Sequence, residues 1–352
     1  MSLAKEDLGL TPREFAVLQM VSKGLKNKEI AREVFLAEKT IEHMLSVKDD
    51  DRGIFRKIGV KNRAEAAAWV TSYRLLKEQS DAHLQQVRQV RINGNARLAM
   101  IWAEQAATRL QEEIYRWNCS AKILQPILGN LGRILFERLI AHFEVVMPPA
   151  IRPLAQELIT QIRTIATECG DQDLYGLAAY GSGLAYYLSG QRAKAIKAFT
   201  EALGFVRTDD YKLSSLRYLA LNWAYLGELA KFKEMEGRIK DLLGRGIFVN
   251  DHFICMALEG MGRGQGILKL PEAFDTLEEG WRMYTKVKSP INKLPMRHVQ
   301  LTRSELEVGQ YFDLGDKQRG QSRLEESLWL ARDNGYVRYE KYLQNFVNQR
   351  AA

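Results

Sequence analysis

The chain is poor in the residues that interrupt helices and in those that build disulfides or metal sites. Its 352 residues include only eight prolines and three cysteines. Cys119, Cys169 and Cys255 are odd in number, far apart and without CxxC spacing, which favours reduced thiols. No apolar stretch approaches the length of a membrane span, and the N-terminus lacks the basic-then-apolar run of a signal peptide. These absences predict a cytoplasmic protein.

The sequence also lacks the motifs of common enzymes. It has no GxxxxGK[ST] phosphate loop, no HExxH zinc motif and no GxSxG elbow, and its five histidines are scattered. Gly260, Gly262, Gly264 and Gly266 alternate without the Lys and Ser/Thr of a phosphate loop, so they favour a distorted or tightly packed helix end over a nucleotide site. We therefore expect no enzyme, no cofactor and no metal.

Helix-forming residues and charged residues are abundant. Leu, Ala, Glu, Lys, Arg and Gln favour helix throughout, and an apolar fraction of 46% is ample for a sizeable core. A chain of this length is expected to form two or three domains. The net charge of +8 is compatible with an anionic partner. This excess is spread along the chain, so basicity alone does not identify a DNA-binding protein.

Residues 10–63 predict a small helical domain. The segment from Thr11 to Glu14 has the composition of a capping box with a proline in the first turn. Gly24 is placed to end that helix, because glycine adopts the left-handed conformation without penalty. Asn27 starts a second helix, and Glu38 opens a third. Two short helices joined by a tight turn, with the second directed outward, are typical of a helix-turn-helix.

Several short motifs occur together in this stretch, namely Leu10-Thr11-Pro12-Arg13-Glu14, Asn27-Lys28-Glu29-Ile30-Ala31, Lys39-Thr40-Ile41 and Arg56-Lys57-Ile58-Gly59-Val60. In this it resembles the helix-turn-helix of the LuxR/GerE family of bacterial transcription regulators. The resemblance implies double-stranded DNA as a partner, a third helix in the major groove and a homodimer. It assigns nine residues to DNA, with Lys39, Thr40, His43 and Met44 in the groove and Lys28, Arg56, Lys57, Lys61 and Arg63 at phosphates.

Single-residue departures from the family lie on the presumed recognition helix. Ala37 stands where the family usually has Ser, so the helix loses a side-chain N-cap. Met44 stands where the family often has His.

A larger departure is the spacing between Thr40 and Ile54, which is fourteen residues where the family needs about eight. Six extra helical residues would rotate the next segment by roughly 240° and move it about 9 Å along the axis. We therefore expect the helix to stop near Lys48 and a new one to restart near Arg52. The surplus contains Asp49–Asp51, which phosphate would repel. It is either a solvated loop directed away from DNA or a degraded or retuned DNA contact.

These signals predict a DNA-binding domain over residues 1–75, followed by a connecting segment over residues 76–96. The connecting segment is rich in Gln and Arg, and we expect an exposed helix broken at Asn93–Asn95. Two interpretations stay open for it, a solvated linker and a dimerising coiled segment, although its heptad pattern is poor.

Residues 97–350 resemble stacked helical hairpins of the tetratricopeptide type. The clearest unit, 176–206, has small, aromatic and Ala positions in order, at Gly183, Tyr186, Gly190, Ala195, Phe199 and Ala202. We expect Gly183 and Ala195 to let two helices approach closely, Gly190 to make the turn, and Tyr186 and Phe199 to fill the space between hairpins. Weaker copies are centred on Ala220, Trp223, Gly227, Phe232 and Ile239, on Ala273, Phe274 and Leu277, and on Tyr311, Gly315, Leu324 and Leu328.

Stacked hairpins present a concave surface formed by the first helix of each pair, and such surfaces bind peptides or partner helices. The candidate lining residues are Tyr180, Tyr187, Arg217, Asn222, Tyr225 and Arg303. The Asn222 amide is expected to clamp a peptide backbone and the arginines to hold acidic side chains. The alternative is that the tyrosines only pack between repeats.

The predicted fold is all-α, with an N-terminal four-helix LuxR-type domain and a C-terminal tetratricopeptide-like α-solenoid. The leading hypothesis is a bacterial DNA-binding transcriptional regulator whose repeat domain senses a peptide or protein partner, dimerises, or does both. The order of its domains is similar to that of Gram-positive peptide-pheromone regulators. The alternative is a protein-interaction scaffold whose helix-turn-helix is impaired for DNA binding by the Asp49–Asp51 insertion.

Overall fold

Helices account for nearly all of the regular structure. The computed structural model describes residues 10–46, 53–117, 121–145, 152–245, 251–287, 295–309 and 316–351, and these ranges contain α-helices and no β-strand. The all-α prediction is confirmed. The Asp49–Asp51 insertion, Cys119, Tyr311 and Gly315 lie outside the described residues.

The helices follow one another with short connections. They are α1 Pro12–Ser22, α2 Asn27–Glu33, α3 Glu38–Leu45, α4 Ile54–Lys57, α5 Arg63–Ile92, α6 Ala96–Arg116, α7 Ala121–Val145, α8 Arg152–Cys169, α9 Gln172–Leu188, α10 Arg192–Phe205, α11 Asp209–Tyr225, α12 Leu229–Gly244, α13 Asp251–Ile267, α14 Ala273–Val287, α15 Pro295–Val308, α16 Lys317–Asp333 and α17 Val337–Ala351.

The chain forms two compact units. The first comprises Met1–Gln86, Ala103–Ile134 and Thr164–Asp171, and the second comprises Val87–Trp102, Leu135–Arg163 and Gln172–Ala352. The boundaries predicted at residues 75 and 96 remain predictions.

The first helices of the first unit begin and end where the sequence predicts. The backbone N–H of Thr11 donates to Glu14 Oε2 at 2.7 Å, and the N–H of Glu14 donates to Thr11 Oγ1 at 3.2 Å, which completes the capping box. Gly24 follows α1 with φ +81°. Helices α2 and α3 begin at Asn27 and Glu38, as expected.

Helix α5 is longer and more buried than the sequence predicts. Residues 76–96 were expected to form an exposed connecting segment, but α5 runs unbroken from Arg63 to Ile92. Leu76, Leu84 and Val87 are buried because they recur at helical spacing on one face. The predicted break is confirmed at Gly94, which has φ +93°.

In the second unit, α9 and α10 form the hairpin that the clearest repeat predicts. Gly190 makes the turn with φ +72°. A β-carbon at Gly183 would lie 2.7 Å from two ring carbons of Phe199, so glycine is required where α9 meets this ring. Phe199 is fully buried and stacks on Tyr218 of α11 with ring centroids 5.0 Å apart. The predicted packing between hairpins is therefore confirmed for Phe199.

The following helices continue the pattern within this unit. Helix α11 packs on α12, α13 on α14, and α15 on α16, while α11 also packs on α13 and α13 on α15. Phe232 of α12 and Leu277 of α14 are fully buried at the positions that the weaker repeats assign to them. Hairpins that stack in chain order bury apolar faces that no hairpin can bury alone.

The alternating glycines lie within α13 and bring four other helices close to it. Within α13 they pack against side chains from α11, α14, α12 and α15, in the pairs Gly260–Arg217, Gly262–Leu277, Gly264–Phe232 and Gly266–Val308. Tight packing is confirmed, but it runs through the second half of the helix rather than at a distorted end.

The last helix of the second unit packs against residues early in that unit. The Tyr336 hydroxyl donates to the carbonyl oxygen of Gly94 at 3.0 Å. Tyr336 and Leu343 are buried in one core cluster with Ala96 and Ala141. This contact joins segments of the unit that lie more than 200 residues apart in the chain.

Candidate DNA-reading surface and ligand cavity

Helix α3 is held by its inner face and exposes its outer face. Ile41 is fully buried and Leu45 nearly so. Lys39, Thr40 and His43 are exposed. Because the two sets alternate at helical spacing, burying the first directs the second to solvent, as a recognition helix requires.

The start of α3 lacks a side-chain cap. Ala37 has the extended backbone of an N-cap residue, with φ −70° and ψ 144°, but no side-chain oxygen to accept a hydrogen bond. The turn before it contains Phe35, which has φ +55° and is 92% exposed. A bulky residue in the left-handed conformation is unusual, so this turn is both strained and open to solvent.

Seven of the nine predicted DNA residues reach the surface, and two are used inside the domain. Lys28, Arg56 and Lys61 are exposed in addition to the three on α3, and Met44 is half-buried. Lys57 Nζ instead lies 2.7 Å from Glu14 Oε1 in a largely buried ion pair. Arg63 donates to Asn27 Oδ1 at 2.7 Å and to the Leu25 carbonyl oxygen, and so holds the start of α5 against the loop before α2.

The two ends of the insertion lie against each other. Helix α3 ends at Leu45, earlier than the predicted Lys48, and α4 begins at Ile54. A β-carbon on Gly53 would collide with the carbonyl oxygen of Ser46. The chain therefore leaves and re-enters the domain at one point, and Ile54 and Phe55 are buried despite the extra residues.

The second unit contains a cavity of about 400 Å³ rich in arginine and tyrosine. Its lining residues are Tyr187, Leu188, Arg192, Tyr225, Arg263, Arg303, Arg338, Tyr339, Lys341, Tyr342 and Asn345. All of them except Arg192, the first residue of α10, come from α9, α11, α13, α15 and α17.

The structure brings three of the six predicted ligand residues into this cavity. Tyr187, Tyr225 and Arg303 line it. Tyr180 lines a second cavity, where it shares a 2.6 Å hydrogen bond with Ser214.

The other two predicted ligand residues are buried and used inside the unit. Arg217 forms an ion pair with Glu259, and both side chains are 3% exposed. The Asn222 amide donates to the Tyr218 carbonyl oxygen at 2.7 Å, so it is not presented to a ligand as predicted.

The sequence-based prediction missed Arg192, Arg263, Arg338, Tyr339 and Tyr342. Arg263 follows Tyr225 at the same interval of 38 residues that separates Tyr225 from Tyr187, and extending that interval would have found it. Arg192 begins α10, the second helix of its hairpin, and the prediction took only first helices. The other three lie on α17, which none of the predicted repeat positions covers.

Arginines and tyrosines of the wider cavity contact one another through ring stacking and hydrogen bonds. The Arg192 guanidinium carbon lies 4.7 Å from the ring centroid of Tyr187 and 4.1 Å from that of Tyr225. Arg263 donates to the hydroxyls of both tyrosines and pairs with Glu307. Stacking on aromatic rings holds guanidinium planes in place without neutralising their charge.

A narrower cavity of about 80 Å³ shares Leu188, Arg338 and Tyr339 with the wider one. Its lining residues come from α5, α7, α9, α11, α13, α15 and α17, and include Arg91, Glu144, Tyr218, His252, Arg297 and Gln300. The two cavities therefore adjoin each other at these three residues, and together they are called the inner site.

The inner site has a positive electrostatic field. Burial raises the pKa of Tyr339, but Arg338 and Arg303 outweigh it and, with a hydrogen bond from Gln300, lower this pKa to about 8. Burial lowers the pKa of His252 well below its usual value, and neighbouring arginines, Arg297 first among them, lower it further. In both groups the neighbouring arginines favour the less positive form.

The described residues contain no helix long and apolar enough to cross a membrane. In the same ranges, no group of three or more His, Cys, Asp or Glu side chains is placed to hold a metal ion.

The N-terminal part of the first unit is similar in sequence to known proteins. Residues 8–70 match the family described as bacterial regulatory proteins, luxR family. Over 63 residues the chain is 40% identical to the DNA-binding transcriptional activator DevR/DosR of Mycobacterium tuberculosis, covering 18% of this chain and 26% of that protein. Over 70 residues it is 39% identical to the nitrate/nitrite response regulator protein NarL of Escherichia coli, covering 19% and 28%.

The transcriptional regulatory protein ComA of Bacillus subtilis is 43% identical over 65 residues, covering 18% of this chain and 28% of ComA. The chain thus spans little more than a quarter of the length of these relatives, all within the helix-turn-helix region. The N-terminal region is a LuxR-type helix-turn-helix domain.

Proposed function

We propose that this chain is a bacterial DNA-binding transcription regulator in which α3 reads a DNA sequence. In this proposal residues 1–75 form the DNA reader, residues 76–96 connect it, and residues 97–350 form a tetratricopeptide-like domain that binds a peptide or protein ligand. The protein acts as a homodimer in the cytoplasm.

The observation that carries this proposal is the outward face of α3. Ile41 and Leu45 fix the helix on the domain, and Lys39, Thr40 and His43 are left exposed on its first turns. Side chains on the first turns of a recognition helix contact base edges in the major groove. The similarity to DNA-binding regulators covers the same residues.

Lys28, Arg56 and Lys61 are proposed to contact phosphates. All three are exposed. Lys57 and Arg63 are proposed to act differently from the other basic residues, since their partners are Glu14, Asn27 and the Leu25 carbonyl. Their replacement is expected to loosen the domain rather than to remove a DNA contact.

The proposal is tested by measuring binding to selected duplex DNA over a salt series. Lys39→Ala is expected to weaken specific binding by about 1–3 kcal/mol, as loss of a base contact does. Lys28→Ala is expected to weaken binding to all sequences alike and to reduce the salt slope by about one. Lys77→Ala is the matched control, because it removes the same charge from α5, where the half-exposed Lys77 side chain pairs with Asp81.

Equal effects of Lys39→Ala and Lys77→Ala on specific binding would contradict the assignment of α3. If the full chain binds no DNA even at low salt, the regulator proposal fails and a protein-interaction scaffold is left.

The homodimer and the ligand are proposed to act together on DNA binding. Two copies of α3 about 34 Å apart would match half-sites one helical turn apart. A ligand that binds one dimer arrangement more tightly than the other shifts the population toward the first arrangement. The resulting change in DNA affinity is limited by the difference between the ligand's affinities for the two arrangements. Sedimentation with and without DNA carrying paired half-sites measures the stoichiometry, and one protein copy per duplex would refute the dimer.

A further inference from the structure

The inner site of the second unit is lined by more positive than negative charge. The wider cavity includes five basic residues and, within the described part of the chain, no acidic one. The narrower cavity adds Arg91 and Arg297 and contains a single acidic residue, Glu144, which lies 3.6 Å from Arg91 Nη1. The site is therefore cationic before any ligand enters.

Arg297 is a buried guanidinium without a carboxylate. It is only 5% exposed, and one of its terminal nitrogens donates to the neutral Gln300 amide oxygen. Its Nε is buried without a hydrogen-bond partner among the described residues, and no carboxylate in those ranges forms an ion pair with it. A guanidinium stays protonated in proteins, so it carries a full charge into the cavity wall.

Arg338, which lies where the two cavities adjoin, is a second arginine without an ion pair among the described residues. It lines both of them, and its Nε and Nη1 are buried without partners in the described chain. Its guanidinium carbon lies 4.6 Å from the Tyr339 ring centroid, so the ring holds the guanidinium plane and leaves its donors unused.

Other arginines of the same unit form ion pairs. Arg217 pairs with Glu259, and Arg263 and Arg303 share Glu307. The unit thus supplies ion-pair partners to neighbouring arginines, whereas within the described residues Arg297 and Arg338 form no ion pair and interact with Glu144 only over a longer range. Burying an unpaired charge is costly unless a partner arrives.

We infer that the ligand of the inner site presents oxyanion groups, carboxylate or phosphate, to Arg297 and Arg338. This inference rests on the proposed ligand-binding function and names the chemistry of the ligand. The two guanidiniums, which line the cavities, bind the oxygens, as guanidinium–oxyanion pairs do. The rings of Tyr187, Tyr225 and Tyr342 contact the remainder of the ligand in the wider cavity. An acidic peptide and a phosphorylated small molecule share this chemistry.

The test is thermal unfolding and calorimetric titration of the full chain without DNA, using three probes. Triglutamate carries carboxylates, triglutamine is its uncharged counterpart of the same length, and pyrophosphate carries no peptide. We expect saturable binding of triglutamate or pyrophosphate, with a raised unfolding temperature, and no binding of triglutamine. Which anionic probe binds distinguishes a peptide from a phosphate source.

Arg297→Gln and Arg338→Gln are each expected to weaken binding of the anionic probe about tenfold to a hundredfold. Arg207→Gln is the control, since Arg207 is exposed and lines neither cavity. Without a probe, Arg297→Gln is expected to unfold at the same or a higher temperature, because it removes an unpaired buried charge.

Three results would overturn the inference. The first is equal binding of triglutamine and triglutamate with no binding of pyrophosphate. The second is wild-type affinity for the anionic probe in both Arg→Gln variants. The third is a lowered unfolding temperature of ligand-free Arg297→Gln, which would mean that this arginine stabilises the fold. Because no DNA is present, loss of DNA binding in a separate assay leaves this result unchanged.

Discussion

Replacing Gly183 with alanine should destabilise the second unit, although alanine is the better helix former. Gly183 lies inside α9, where exchanging glycine for alanine gains about 0.5–1 kcal/mol from backbone entropy. The added carbon, however, would lie 2.7 to 2.8 Å from three ring carbons of Phe199. Real side chains do not approach this closely, so the ring or the helix has to move.

The Phe199 ring has little room to move. It is fully buried, it stacks on Tyr218 with an interplanar angle of 4°, and it meets the Tyr180 ring edge at a centroid distance of 5.6 Å. Overpacking a well-packed core costs about 1–3 kcal/mol, which exceeds the entropic gain. We expect Gly183→Ala to lower the free energy of unfolding by about 1–2 kcal/mol.

Gly237→Ala is the matched control. Gly237 lies in the middle of α12, and a β-carbon there has no neighbour within 4 Å. This variant should gain about 0.5–1 kcal/mol. Chemical denaturation followed by tyrosine and tryptophan fluorescence compares the two. If Gly183→Ala is as stable as Gly237→Ala, the Phe199 ring does not pack tightly on α9. Restoring stability with Phe199→Leu in the Gly183→Ala background would support the tight packing.

Three further predictions concern other parts of the chain. Ala37→Ser should stabilise the helix-turn-helix by about 1 kcal/mol in thermal denaturation, because it supplies the missing N-cap of α3; no gain would mean that Ala37 is not the cap. Deleting residues 47–52 should preserve the fold, since Ser46 and Gly53 already touch, and should raise DNA affinity by removing negative charge; unchanged affinity would show an inert loop. The Tyr339 phenol should titrate near pH 8 when the titration is followed by ultraviolet absorbance, and this step should be missing in Tyr339→Phe. Because its folded pKa lies below the unfolded value of about 10, its contribution to stability appears as pH rises from 8 to 10 and is lost as pH falls through 8.

The helix-turn-helix could be predicted closely because its signals are local. A capping box, a glycine at a helix end and a short apolar stripe each act within a few residues, and Thr11, Gly24 and Ile41 take the positions their chemistry predicts. Lys57 and Arg63 could not be assigned this way. Their partners lie 43 and 36 residues distant in the chain, and a basic side chain looks the same in sequence whether it meets phosphate or Glu14.

The ligand site shows the same division. The repeat pattern predicted that one helix of each hairpin faces inward, and Tyr187, Tyr225 and Arg303, chosen on that basis, line the cavity. Their role in binding a ligand stays a prediction. The pattern could not tell them from Arg217 and Asn222, which lie on the same kind of helix. Arg217 pairs with Glu259 of another helix, and the Asn222 amide donates to the Tyr218 carbonyl oxygen one turn earlier in α11. The first pairing depends on contacts between helices, which the repeat pattern does not specify.

Taken alone, the order of residues determined an all-helical protein with a LuxR-type N-terminus and a hairpin repeat. Helix caps, turn glycines and apolar spacing act over one or two turns of chain, so they can be recognised without knowing the fold. The tertiary structure decided which charged side chains form ion pairs inside the protein and which remain available to DNA or a ligand. In the described part of the chain it left Arg297 and Arg338 without an ion pair, because only the packing of distant helices determines which acid reaches which base.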